Sequence, residues 1–362
     1  MVILKIKTWY GKYERPVSSL FLLGGFVVDI LTIQAVSLYW QNVWIIANLV
    51  IVGTCIILVH WLEKNEGDEA NPSKAHFWLV NILQFFFGGM LSTFLVSYFR
   101  SADISVSWPF LLILALAFWA NESFKRHYVR LVFQISLYFL SIFTFAIFFV
   151  PILSHKIGAW MFIVSGLVSL LVIALFIFLL KSAAKEEFFR SRNILILSIL
   201  CIFAVMNVLY FTNLIPPFPL SLKDAGVYHS LRRNTQGNYE VGAEPKGRLS
   251  FLSLYPDIHK QKGQPLYVYS AIFSPQAFKM QIFHEWQKKD DKTGEWVTQN
   301  KTSLSVVGGR KGGFRTYSIK SNPEPGRWKV NVLTDRGQHI GSIRFDVILV
   351  DSKPNIVNEV KD

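Results

Sequence analysis

A membrane bundle of seven transmembrane α-helices, followed by an all-β, antiparallel, sandwich-like domain, is the architecture expected from this sequence. Three features carry the expectation. Of the 362 residues, 52% are hydrophobic and only 17% are charged, too apolar for an ordinary soluble chain. Apolar runs of spanning length recur as far as Leu214 and then stop. After that, apolar and polar residues alternate, and Gly, Pro, Asn and Asp punctuate the chain at short intervals.

A helix needs about 20 apolar residues to cross roughly 30 Å of hydrocarbon. Seven runs qualify: Val17–Tyr39, Val43–Leu62, Phe77–Phe99, Val106–Trp119, Val129–Leu153, Trp160–Leu180 and Ile194–Leu214. The fourth is the shortest, with Pro109 in its first turn, where proline is tolerated. Tyr and Trp flank the runs, among them Trp40, Trp61, Trp78, Trp119, Trp160 and Tyr210, as expected of rings that straddle a membrane interface. The first run is long enough to span, so no cleavable signal peptide is expected.

Basic residues in short loops set orientation. The N-terminal segment and the second, fourth and sixth loops hold 13 Lys and Arg; the odd loops hold two, Arg100 and Lys156. This places the N-terminus in the cytoplasm and, after seven crossings, the C-terminal domain outside.

Asp29 falls near mid-bilayer in the first run, where a carboxylate costs about 2.5–3.5 kcal/mol to insert. With Asn81 and Gln84 it outlines an intramembrane polar site that could handle protons or ions. The simpler reading, a hydrogen-bonded carboxyl holding helices together, is preferred, because no acidic or His chain accompanies it. Gly24-Gly25, Gly88-Gly89 and Gly166 mark places for close helix approach.

The membrane helices end at Tyr210-Phe-Thr-Asn-Leu-Ile-Pro-Pro-Phe-Pro219. Pro216, Pro217 and Pro219 lack backbone N–H groups and crowd a preceding helical turn. The expected layout is a polytopic helical domain over 1–215, a Pro-rich connector over 216–225, a β-sandwich over 226–352 and a flexible tail over 353–362. Ten strands are expected: Gly226–Leu231, Tyr239–Val241, Leu249–Tyr255, Leu266–Ser274, Lys279–Gln287, Trp296–Lys301, Ser303–Val307, Phe314–Ile319, Trp328–Thr334 and Ile340–Leu349. Met280, Ile282, His284 and Trp286 share one face; Trp328, Val330 and Val332 share another, opposite Lys329 and Asn331. Asp335-Arg336-Gly337 reads as a tight hairpin.

His284-x-Trp286, the run Gly308-Gly-Arg-x-Gly-Gly-Phe-Arg-Thr-Tyr-Ser318, Pro325-Gly-Arg-Trp-Lys-Val-Asn-Val332 and Asp335-x-Gly337 resemble a bacterial family catalogued as domain of unknown function 2914. The entry segment Ile215–His229 is similar to members in which that domain follows a polytopic membrane region. The resemblance covers the last third of the chain. It implies a bacterial origin and a compact β domain, and no established activity.

Motifs for chemistry are scarce. Gly308–Gly313 with Arg310, Lys311 and Arg315 could cradle an anion, but no Lys-Ser/Thr follows Gly313 as a P-loop would require. His284, Trp286, Arg310, Lys311, Arg315 and Tyr317 are therefore the candidate ligand contacts, weighed against a core Trp beside a hydrogen-bonded His and a basic hairpin loop. Cys55 and Cys201 lie in apolar runs, so the β half has neither a disulfide framework nor a Cys-based zinc site. His229, His259 and His339 follow no ligand spacing, and no metal, cofactor or catalytic residue is assigned. A membrane-embedded enzyme would need acidic and His groups clustered at the surface, drawing on Glu122, His127 or His155, and no pattern joins these.

The net charge of +13 divides into +5 over Met1–Asn213 and +8 over Leu214–Asp362. A basic module close to a bilayer is drawn to anionic headgroups or envelope polymers. The expected function is a multi-pass envelope protein presenting a binding or scaffold module to an anionic polymer, peptide or partner protein. The alternative is a transporter or sensor working through Asp29. Partners are the lipid bilayer and an envelope component, not nucleic acid; the oligomeric state is left open.

Overall fold

The computed structural model describes residues 38–66, 74–123, 131–235, 237–245, 253–274, 279–307 and 313–361. Asp29 and nearly all of the first apolar run lie outside these residues. The chain divides into two compact units. One runs through Phe99 and resumes over Pro109–Thr212; the other joins Arg100–Trp108 to Asn213–Asp362.

The described helices are α1 (Leu38–Glu66), α2 (Lys74–Arg100), α3 (Ile104–Ser123), α4 (Leu131–Ser154), α5 (Ala159–Ala183) and α6 (Lys185–Phe211). Six helices among the described residues are long and apolar enough to cross a membrane, which suggests a membrane protein. They coincide with the second to seventh apolar runs. The α3 helix begins at Ile104, earlier than expected, so Pro109 sits in its second turn.

The α4 helix is the hub of the helical unit: 83% of its most apolar stretch is buried, against 28–44% in the other five. Its Tyr138 hydroxyl donates to the Leu49 carbonyl of α1 (3.1 Å), and its Thr144 carbonyl accepts from Tyr98 of α2 (2.9 Å). These bonds satisfy polar groups that hydrocarbon cannot. Gly53 makes room for the first: a Cβ there would stand 2.8 Å from the Tyr138 hydroxyl. Gly166 lies under Phe203, which a Cβ would meet at 3.1 Å. Outward side chains such as Phe85, Phe178 and Leu197 are 68–73% exposed, a surface suited to lipid. The α6 helix follows α5 after a break at Ala184, and Glu186 and Glu187 occupy its first turn, where acidic groups complement the helix dipole.

The second unit holds β1 (Ser221–Tyr228), β2 (Ser230–Arg233), β3 (Tyr239–Ala243), β4 (Asp257–Lys260), β5 (Leu266–Phe273), β6 (Lys279–Lys289), β7 (Trp296–Val307), β8 (Phe314–Lys320), β9 (Gly326–Thr334), β10 (His339–Leu349) and β11 (Val357–Lys361). They form three sheets, ordered β1-β5-β8, β4-β10-β9-β6-β7 and β11-β3-β2. All pairings are antiparallel except β4 with β10, which is parallel.

The main core draws on two sheets. Leu266 and Val268 of β5 pack with Trp286 of β6, Trp328 and Val330 of β9, and Phe345 and Val347 of β10. The Trp286 ring meets Trp328 and Phe345 edge-on, each at 6.2 Å between centroids. Thr334 and Gln338 close the expected hairpin, with Gly337 at φ +82°. Asn213 and Gln338 tie the connector to this turn through bonds to the Arg336 and Ile215 carbonyls.

Four expectations need correction. Trp296–Lys301 and Ser303–Val307 are one strand, because Thr302 stays in register with His284. Residues 249–252 of the expected Leu249–Tyr255 strand lie outside the described residues, and 253–255 are not strand; pairing resumes in β4. The flexible tail expected over 353–362 contains β11, whose backbone pairs with β3 from Val357 to Lys361. The strand expected over Gly226–Leu231 is two, β1 and β2, divided at His229, and β1 begins at Ser221, inside the connector expected over 216–225.

Candidate functional site

Alternation along β8 puts both of its expected ligand residues on the outer face. Thr316 and Ser318 turn inward, while Arg315 and Tyr317 turn outward. His284 and Trp286 are fully buried on the inner side. The His284 ring lies 2.8 Å from both the Ser270 and Ser318 hydroxyls, and the Trp286 indole N–H donates to Ser318 (3.0 Å). A neutral imidazole completes this circuit, one ring nitrogen donating to one serine hydroxyl and the other accepting from the second. Burial pulls the His284 pKa down to about 4. These two residues are core, as the simpler reading of them held.

Arg315 donates to Asn238 Oδ1 (3.0 Å) and to the Lys361 carbonyl (3.1 Å), and stands 5.9 Å from the Tyr239 ring centre. Tyr317 packs near Tyr239 and Tyr267. Arg315 is thus engaged in holding β11. Arg310 and Lys311 lie outside the described residues. Asn81 is exposed on α2. Gln84 exchanges bonds with Asn121, each amide donating to the other's backbone carbonyl at 3.0 and 3.1 Å. That pair joins α2 to α3.

Two arrangements emerge that single residues did not disclose. The first covers the outer face of the five-stranded sheet. At one end, Asn331 donates to Glu285 (3.1 Å) and Gln287 (3.2 Å), and Ser342 lies 3.1 Å from its carbonyl oxygen. Ser342 also donates to Asp103, within the 100–108 segment. Burial alone would raise the Asp103 pKa; the contacts from His339, Ser105 and Ser342 outweigh it and hold the carboxyl well below the usual range. At the other end the face is open among the described residues. Lys329 lies 4.8 Å from the centre of the Trp296 ring and Arg327 5.3 Å from that of Tyr255; Lys301, 4.7 Å from Phe283, belongs to the first end, because Lys301 pairs with Glu285 and Phe283 with Leu333. Tyr255 and Trp296 are near-parallel, 6.4 Å apart. The result at this end is two cations over two stacked aromatic faces.

The second arrangement lies in the helical unit, where the end of α1 and the starts of α2, α4 and α6 converge. His60 is buried, and its Nδ1 stands 3.0 Å from Glu63 Oε2 and 3.1 Å from Glu187 Oε2. It makes a well-directed hydrogen bond to neither. Its Nε2 lies 3.1 Å from Gln134 Oε1. Glu63 Oε1 meets His76 Nε2 at 3.0 Å, and Glu187 Oε1 accepts the Leu131 backbone N–H at 3.3 Å. Among the described residues, His60, Glu63 and Glu187 bring three ligand-type atoms within 4.8 Å of one another. The available signals were the His60-x-x-Glu63 spacing, which puts both on one helix face, and the acidic first turn of α6. Pairing these across the intervening chain required the fold. Glu122 and His127 fall outside the described side chains, and His155 is exposed in the α4–α5 turn.

Residues 279–347 match the family described as Protein of unknown function (DUF2914). The match spans β6 to β10 and includes Phe283, Trp296, Lys301, Arg327 and Lys329. No curated protein matches the chain. Among solved structures, an immunoglobulin-like protein from Pseudomonas aeruginosa is similar at 11% identity and TM-score 0.20, over 36% of this chain and 96% of that one. A β-glucosidase from Listeria innocua reaches 12% and 0.19, over 34% and 16%. The Pseudomonas fluorescens alkylpurine DNA glycosylase AlkC reaches 10% and 0.23, over 85% and 98%. Likeness at these TM-scores carries no inference about fold or activity.

Proposed function

We propose that this is a seven-span envelope protein whose β unit is an extracytoplasmic, sandwich-like binding module for an anionic envelope polymer. The open end of the outer sheet face is the binding surface. The observation that carries this reading is Lys329 and Arg327 over the stacked Trp296 and Tyr255, with Lys301 over Phe283 farther along the same face. Aromatic faces give sugar or peptide planes a flat apolar seat, and the cations stacked on them supply charge. The +8 balance after Asn213 adds long-range attraction. The core shared by the β5 and β6/β9/β10 strands supports the sandwich reading, and the basic bias of the even loops supports the extracytoplasmic one.

The test uses the full chain in nanodiscs of zwitterionic lipid, with dextran sulfate as probe and neutral dextran as control. Dextran sulfate should bind, more weakly as salt rises, and Lys301→Gln/Arg327→Gln/Lys329→Gln should weaken binding at least tenfold. Equal retention of neutral dextran, or unchanged binding by the triple variant, would reject this surface.

A further inference from the structure

We propose that His60, Glu63 and Glu187 form a binding site for one divalent transition-metal ion of the zinc type, independent of the β unit's surface. Three atoms define it: His60 Nδ1, Glu63 Oε2 and Glu187 Oε2. Zinc binds such atoms at about 2.0–2.2 Å, which sets the edges of a tetrahedron at roughly 3.3–3.6 Å. The observed separations of 3.0 and 3.1 Å from the imidazole nitrogen to each carboxylate oxygen need only a slight expansion. The fourth position is left for water or His76, which already touches Glu63.

The neighbours of these atoms point the same way. Each proposed ligand has its other heteroatom held by another group. With His60 neutral, Gln134 Oε1 takes its Nε2–H and a lone pair is left on Nδ1. His76 holds Glu63 Oε1, and the first backbone N–H of α4 holds Glu187 Oε1. This is how partners beyond the ligands orient imidazole and carboxylate around a metal. The tautomer so fixed aims three electron-rich atoms at one point, next to a His that is 1% exposed. A metal ion satisfies such a point, as a proton on Nδ1 would in its absence. One divalent ion neutralises both carboxylates. An exit to solvent exists, because the Glu63 and Glu187 side chains are 28% and 39% exposed. Donors of one nitrogen and two oxygens suit zinc, manganese or ferrous iron, and the Irving–Williams order favours zinc among these three. Held this way, the ion would clamp the end of α1 to the start of α6.

The experiment takes the untagged full chain in detergent, stripped with chelator and dialysed against Zn2+ alone, with bound metal measured by mass spectrometry. About one chelator-removable Zn2+ per chain is expected at this site, with a rise in melting temperature on loading. Glu63→Gln and Glu187→Gln, which keep side-chain shape, should each lower affinity at least tenfold. Gln134→Ala removes no ligand and should cost about 10–100-fold. If a variant does not fold, the wild-type chain decides with the other. A wild-type chain that takes up no Zn2+, or whose uptake is the same in Glu63→Gln and Glu187→Gln, would overturn the proposal and leave a protonated His60 ion-paired with two carboxylates.

Discussion

His284 shows how one buried group makes the β unit sensitive to pH. Its folded pKa of about 4 lies below the ordinary value of 6.5. Between those values the unfolded chain binds a proton that the folded one refuses, so stability falls as pH drops from about 6.5 to 4 and levels off below. Two and a half units correspond to a loss on the order of 3 kcal/mol. Amide exchange in β6, corrected for intrinsic rate, should speed up across that window, and His284→Gln should flatten the response. A wild-type profile without slope there would contradict the neutral circuit with Ser270 and Ser318. Trp286→Ala should cost about 3–5 kcal/mol in denaturant titration, since it empties the centre of the main core. The burial of His284 and Trp286 was legible from strand alternation. The role of His60 was not, because Glu187 reaches it only through the packing of α1, α4 and α6.

Helices and strands differ in how openly they announce themselves. The apolar runs mark α1 to α6 because hydrocarbon demands length and apolarity and little else. What holds them together depends on small local fits, such as Gly53 beneath Tyr138. Gly53→Ala should push the Tyr138 ring away from Leu49 and lower stability by about 1–3 kcal/mol, measurable as a shift in unfolding by SDS titration; no shift would mean that the ring moves freely. The last strand was missed because Val357-Asn-Glu-Val-Lys361 is polar and short, with no local turn to propose a partner. Its pairing with β3 is fixed by distant contacts, including the Arg315 bond to the Lys361 carbonyl. Truncation after Asp351 should therefore raise amide exchange in Tyr239–Ala243; unchanged protection would show that β11 adds nothing.

The division into two units follows a change in sequence pattern. Apolar runs long enough for a membrane continue as far as Phe211, and strand alternation takes over from Ser221 onward. The Pro-rich connector marks the change, and its position could be read directly. The polar face capped by Asp103 could not, because a segment between α2 and α3 joins strands that lie far along the chain. An extracytoplasmic binding module requires that the β unit reach the far side of the membrane. In a Cys55→Ser/Cys201→Ser background, Lys353→Cys and Lys64→Cys can be labelled with a membrane-impermeant maleimide. Lys353→Cys should react in intact spheroplasts and Lys64→Cys only in inverted vesicles; the reverse pattern would contradict an extracytoplasmic binding module.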